Sequence, residues 1–210
     1  MDHHTSSNNR YTSLGAGDSK ERILALVKQN QPDFTDLPAI VNFKQEYDDV
    51  AEKFITVLRG IGSLVYVVEG YDQIAGIIKE NFADARRIVS TCDELASIAE
   101  INKMYEDPHL LEDVDLFITS SNLAVAENGA AWITDKQLSE RVLPFIAQEI
   151  ALVINKKNIV ETMHDAYDKI ADEEYGFAVF IAGPSKTADI EQSLVLGAHG
   201  PKMMTVFVVE

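Results

Sequence analysis

Residues 64–90 read LVYVVEGYDQIAGIIKENFADARRIVS. The run Leu64-Val65-Tyr66-Val67-Val68 is β-branched and aromatic throughout, which predicts a buried strand. Ile74, Ile77, Ile78 and Phe82 then recur at helical spacing, and residues 87–90 predict a second, short strand. A strand, a helix and a strand in that order define a parallel crossover unit. The same alternation extends outward. Upstream, Tyr47, Val50, Phe54, Val57 and Ile61 line one helix face that ends at Gly60 and Gly62, and a first helix opens at Asp18 with Glu21 at capping-box spacing. Downstream, strands are predicted at 114–119, 145–154, 177–182 and 205–209, with a helix stripe of Val160, Met163, Tyr167 and Ile170. Residues 123–134 (LAVAENGAAWIT) place Asn128-Gly129 between two apolar runs, a strong hairpin signal. The expected fold class is α/β, a mostly parallel sheet flanked by helices with one β-hairpin. Residues 1–18, rich in Ser, Asn, Gly and Asp, read as a flexible tail, and residues 19–210 as a single domain.

Composition excludes several function classes. The 210 residues carry 18 Lys and Arg against 34 Asp and Glu, a net charge of −16. A chain this acidic is a poor ligand for nucleic acid or for anionic membrane surfaces, which need clustered Lys and Arg. No apolar run approaches the roughly 18 residues of a membrane span, and the first residues show no apolar leader, so a cytoplasmic protein is expected. The single cysteine, Cys92, cannot by itself build a disulfide framework, a cysteine zinc site or an iron–sulfur cluster. With no His pair at ligand spacing, no metal and no resident cofactor are expected. Acidic residues concentrate in 93–115, eight against one lysine, and in 161–174, six against one lysine. Each is a solvated face or a docking surface for a basic partner.

Three clusters carry candidate chemistry. Gly183-Pro184-Ser185-Lys186-Thr187-Ala188-Asp189-Ile190-Glu191 follows an apolar strand directly. Small residues, hydroxyls and a lysine at a strand's carboxyl end suit an anion pocket for a carboxylate or phosphate. The P-loop pattern is absent because Lys186 follows Ser185 rather than glycine. Gly197-Ala198-His199-Gly200-Pro201 exposes His199 in a flexible turn, as a hydrogen-bonding or proton-transfer group or as a structural histidine. A serine hydrolase elbow is excluded, since Thr187 stands where G-x-S-x-G needs glycine. Ala126-Glu127-Asn128-Gly129 sets a carboxylate among apolar neighbours, where desolvation raises its pKa for acid–base or nucleophilic work, unless it is a solvated turn residue. His109 reads as a surface residue, His164 as lying at the edge of its helix's apolar stripe, and Cys92 as a core thiol.

Together, GPSKTADIE, then LVLGAHGP, then a last apolar strand resemble the LUD domain family, above all its C-type subunits of bacterial lactate utilisation. VDLFIT followed by AVAENGA resembles the family's aspartate-containing strand and its A-E-T-G-T element, with Asn128 and Ala130 each in place of Thr. The resemblance is strong from Gly183 onward and weak in the first 60 residues. It implies a fold related to the sugar-isomerase and CoA-transferase group. It also implies a part in oxidising L-lactate to pyruvate beside iron–sulfur partner subunits of the A and B types. A-E-N-G is similar, too, to the S-E-N-G element of CoA transferases, whose glutamate forms a thioester with CoA; Glu127 would then be the nucleophile. A regulatory module that binds a small acid is a third reading. Glu127, residues 183–191 and His199 are expected to share one pocket at the carboxyl ends of the strands, with Gly200 among the anion-binding residues.

Overall fold

The computed structural model describes residues 18–36, 47–101, 103, 105, 107–186 and 196–210. The chain divides into two units, Met1–Val41 and Asn42–Glu210. In the first, helix α1 (Asp18–Gln29) begins where the sequence predicts. The side chain of Asp18 and residues 1–17 of the predicted tail lie outside the described residues.

The second unit holds everything else. Helix α2 (Val50–Gly60) starts at Asp49, whose carboxylate accepts from the N–H groups of Ala51 and Glu52, and it buries Phe54, Ile55 and Leu58. It stops at Gly62, where φ is +100°. Then come β1 (Leu64–Val68), α3 (Tyr71–Asn81), β2 (Ile88–Ser90), β3 (Glu100–Ile101), β4 (Leu116–Ser121), β5 (Ala124–Val125), β6 (Ala130–Thr134), the short α4 (Leu143–Ile146), β7 (Glu149–Asn155), β8 (Ile159–Val160), α5 (Met163–Ile170), β9 (Ala178–Ile181) and β10 (Met203–Val209).

Six strands form one sheet in the order β1-β10-β7-β4-β2-β3, and every pairing in it is parallel. Its central strands are buried on both faces, as parallel sheets require. Phe117, Ile150, Leu152, Ile154, Met204 and Val206 face a core shared with Phe54 and Leu58 of α2. The alternate residues Leu116, Ile118, Ala151, Val153 and Phe207 face Ile74 and Ile78 of α3. The predicted α/β class with a mostly parallel sheet is therefore the fold. Three details differ. The run over β1 is not a buried strand: among the described residues it is an edge strand, paired with β10 alone, and Leu64 and Val67 are exposed. In the predicted strand 145–154, the first residues instead belong to α4. The hairpin and the 177–182 strand are not insertions in the parallel sheet. They build a second, four-stranded sheet in the order β8-β5-β6-β9, where β6 pairs antiparallel with both β5 and β9. One face of this small sheet joins the α2 core through Ala124, Ala131 and Ile133. The other, with Val125, Trp132 and Val160, is covered by Ala166 and Ile170 of α5.

Candidate functional site

The glycine-rich arm after β9 sits at the amino end of the parallel sheet, not at its carboxyl end. The Gly183 N–H donates to Sδ of Met204, the second residue of β10. A Cβ on Gly62, just ahead of β1, would lie 3.8 Å from Pro184. The reason is topological. An apolar run such as FAVFIA fits either sheet, and β9 joined the antiparallel one, where the strand-end rule for parallel sheets has no force. The His199 turn leads into β10 and so lies at the same amino edge. The two arms run side by side: the Ser185 N–H donates to Pro201 O at 2.9 Å, the Gly197 N–H donates to Ser185 O at 3.0 Å, and Lys186 bridges Leu196. A Cβ on Gly200 would stand 3.3 Å from that of Ser185, so the glycine permits the contact.

Ile61, the residue that ends α2, is where two of the predicted clusters meet. Gly183 at φ +72° and Gly129 at φ +73° both press against its side chain, where a Cβ would come within 3.1 Å and 3.4 Å of Cδ1. Nζ of Lys186 donates to Ile61 O at 2.6 Å, so this cation serves the negative end of a helix. The carboxylate of Glu127 points elsewhere. It is exposed rather than set in an apolar wall, and Oε2 accepts from the Met163 N–H at 2.9 Å, at the first residue of α5. A turn closed by Asn128 Oδ1, which accepts from the Ala130 N–H at 3.0 Å, turns Glu127 outward. Ser185 and His199 line a cavity of about 250 Å³ with Pro144, Phe145, Val179 and Gly200; Glu127 is not among its lining residues. Thr187, Asp189 and Glu191 lie outside the described residues.

The carboxyl edge holds a constellation the motif reading passed over. Connections leave β2 toward β3 and β4 toward β7, so the sheet order reverses between β2 and β4. At that switch point the Thr91 N–H donates to Ile118 O, and the Thr91 hydroxyl donates to that of Thr119 at 2.8 Å. Beside it, Ser90 Oγ accepts from the Cys92 N–H at 3.0 Å. Tyr71, at the start of α3, shares a hydrogen bond with the Cys92 thiol. Burial pushes the Cys92 thiol up, and burial, then the neighbouring Cys92 and Glu94, push the Tyr71 phenol up as well. Both therefore stay protonated at neutral pH and act as neutral hydrogen-bonding groups. A cavity of about 460 Å³ opens next to Tyr71, between Glu69, Gly70, Asp72 and Glu94. The sequence signal was available: Ser90-Thr91-Cys92 and Thr119-Ser120-Ser121-Asn122 are small polar runs at the ends of apolar strands. Among the described residues no group of three or more His, Cys, Asp or Glu side chains is placed to hold a metal. His109 is exposed and paired with Asp107 at 2.7 Å. No helix among the described residues is long and apolar enough to cross a membrane.

A parallel α/β sheet that carries a small mixed sheet on one face, with glycine arms clasped around a helix end, is the class of protein these observations define. The chain belongs to the LUD domain family, whose model matches residues 93–209. It is similar to proteins described as lactate utilization protein C. That of Oceanobacillus iheyensis is 29% identical over 121 residues, 55% of this chain and 50% of that protein. That of Geobacillus sp. (strain WCH70) is 35% identical over 104 residues, 47% of this chain and 43% of that protein. The chain thus spans about half the length of the curated relatives it matches. A crystal structure of a DUF162 family protein from Deinococcus radiodurans shares the fold, with a TM-score of 0.61 at 17% identity over 77% of this chain and 96% of that one.

Proposed function

We propose that the protein is a cytoplasmic C-type subunit of a lactate-utilisation system, needed for oxidation of L-lactate to pyruvate beside iron–sulfur subunits of the A and B types. The observation that carries this reading is the family match over residues 93–209, together with relatives that bear the name lactate utilization protein C. Chemistry supports the division of labour. The oxidation releases two electrons, and these 210 residues contain one cysteine, too few to ligate a cluster, so the electrons pass to partners. Within the chain, Ser185 and His199 are the polar groups on the cavity beside β9, and a small carboxylate or phosphate is the ligand their hydrogen bonds suit. The small residues, hydroxyls and lysine of the sequence 183–191 suit the same ligand, with Thr187, Asp189 and Glu191 as further candidates.

A CoA-transferase role for Glu127 has less support, since its carboxylate accepts from the first N–H of α5. The deciding experiment is reconstitution. The purified protein with L-lactate and an artificial acceptor is expected to show no turnover. Turnover is expected once both iron–sulfur subunits are added, and they should co-purify with it. Turnover by the chain alone, or full activity of the other two subunits without it, rejects the proposal. Incubation with acyl-CoA followed by hydroxylamine trapping tests the alternative, which requires a covalent mark lost in Glu127→Gln.

A further inference from the structure

We infer that the outer side of the four-stranded sheet, at the end of α5, docks a protein surface rich in arginine or lysine. Four aromatic rings form one continuous cluster there. Trp132 meets Phe180 at 4.5 Å and Tyr175 edge-on at 5.3 Å, and Tyr167 meets Phe180 at 6.0 Å. Trp132 is buried and Phe180 half-buried, but Tyr167 is 59% and Tyr175 45% exposed. Tyrosines held edge-on against neighbouring rings and still half in water are the anchors protein interfaces use, because they bury much area at little conformational cost.

The charge around them says which partner fits. Asp168, Asp172, Glu173 and Glu174 are all exposed here, with Lys169 as the one cation of the segment 161–174. Glu173 accepts from the Trp132 indole N–H at 3.3 Å, which ties the acidic rim to the aromatic cluster. Guanidinium or ammonium groups laid over Tyr167 and Tyr175 would gain both the ring faces and the carboxylates. The other occupants are disfavoured by the same charge. A second copy of the chain would set two acidic rims face to face, and a nucleic acid or an anionic membrane would be repelled. This inference stands on the patch alone and does not depend on the lactate reading.

The test uses the intact protein and a short arginine peptide without aromatic residues, with a glutamate peptide of equal length as control. Trp132 is the single tryptophan, so its fluorescence reports on this patch and nowhere else. The arginine peptide is expected to shift Trp132 emission, with an affinity that falls as salt is raised; the glutamate peptide is expected to do nothing. By calorimetry, Tyr167→Ala with Tyr175→Ala should weaken binding by about tenfold, and Asp168→Asn with Asp172→Asn by a similar factor. Neutralising Asp93 and Glu112, in the other acidic segment, should leave the affinity within about twofold. All of these are exposed positions, and thermal melts confirm that each variant is folded. Wild-type affinity in the tyrosine variant overturns the inference. So does an equal loss from the Asp93 and Glu112 changes, which would reduce the effect to general attraction by a polyanion.

Discussion

At the amino edge of the six-stranded sheet, Arg86 pairs with Asp115 at 3.4 Å, and Arg87 pairs with Asp113 and with Glu100 at 3.2 Å. At the carboxyl edge, the groups in contact around the switch point are the hydroxyls of Tyr71, Ser90, Thr91 and Thr119 and the thiol of Cys92. Titration separates the two. Backbone N–H groups, that of Arg86 first, hold the Asp115 carboxyl below its ordinary range, and the Tyr105 hydroxyl and then Arg87 do the same for Glu100. Glu149 and Tyr105 are the exceptions at the amino edge: burial pushes Glu149 up against the pull of Lys202, and burial and then Glu100 push the Tyr105 phenol up. At the carboxyl edge both shifts are upward and come from burial. One edge is fastened by ions and glycine contacts, which suits a structural clasp. The other gathers uncharged hydroxyls and a thiol beside a cavity edged by Glu69, Asp72 and Glu94, at the sheet edge that such folds offer to ligands.

The largest effect that could break this contrast comes from one substitution made at each edge. Gly183→Ala puts a Cβ at φ +72° and 3.1 Å from Ile61, and is expected to cost about 2–3 kcal/mol. Gly70→Ala at the carboxyl edge meets nothing within 4 Å on extended backbone, and should stay within about 0.5 kcal/mol. Urea unfolding of the two variants gives the comparison directly, and equal losses would remove the glycine clasp from the account.

The pH dependence of stability sharpens it next. Asp115 and Glu100 are lowered in the folded state, so their contribution is present above about pH 4 and lost as pH falls through their folded values. Cys92 and Tyr71 are raised, so theirs is complete below about pH 8.5 and is lost as pH rises through the folded values. Melting temperatures across pH should thus fall on both sides, and Tyr71→Phe should flatten only the alkaline limb. A change confined to the acid limb would contradict the assignment.

Smaller again is Thr119→Val, which leaves the Thr91 hydroxyl without its partner and should cost about 1 kcal/mol. Hydrogen exchange should then accelerate at the ends of β2 and β4 and stay unchanged around Ile61. The smallest shift belongs to Lys186→Ala. Removing an exposed cation from the end of α2 should cost about 0.5 kcal/mol, readable as a change of a few degrees or less in melting temperature.

Much of this molecule was written locally. The face of Tyr47, Val50, Phe54, Val57 and Ile61 and the end at Gly60 and Gly62 made α2 legible, as the β-branched runs did for β1, β4 and β10, because periodicity and helix stops act within a few residues; the Asp49 cap and the burial of Leu58 came only with the structure. The closing arms with Gly183 and His199 were legible as a family motif for the same reason: their residues are contiguous. What lay beyond the sequence was partnership. Nothing in FAVFIA states whether β9 pairs with the parallel sheet or with β6, since both offer the same ladder of hydrogen bonds to an apolar strand. That choice decided at which edge Gly183 and Ser185 lie. Likewise Glu127 and Met163, 36 residues apart, and Thr91 and Thr119, 28 apart, meet only after the sheets are stacked. Their hydrogen bonds belong to the packed tertiary structure, where direction and register are set by long-range contacts that no local pattern encodes.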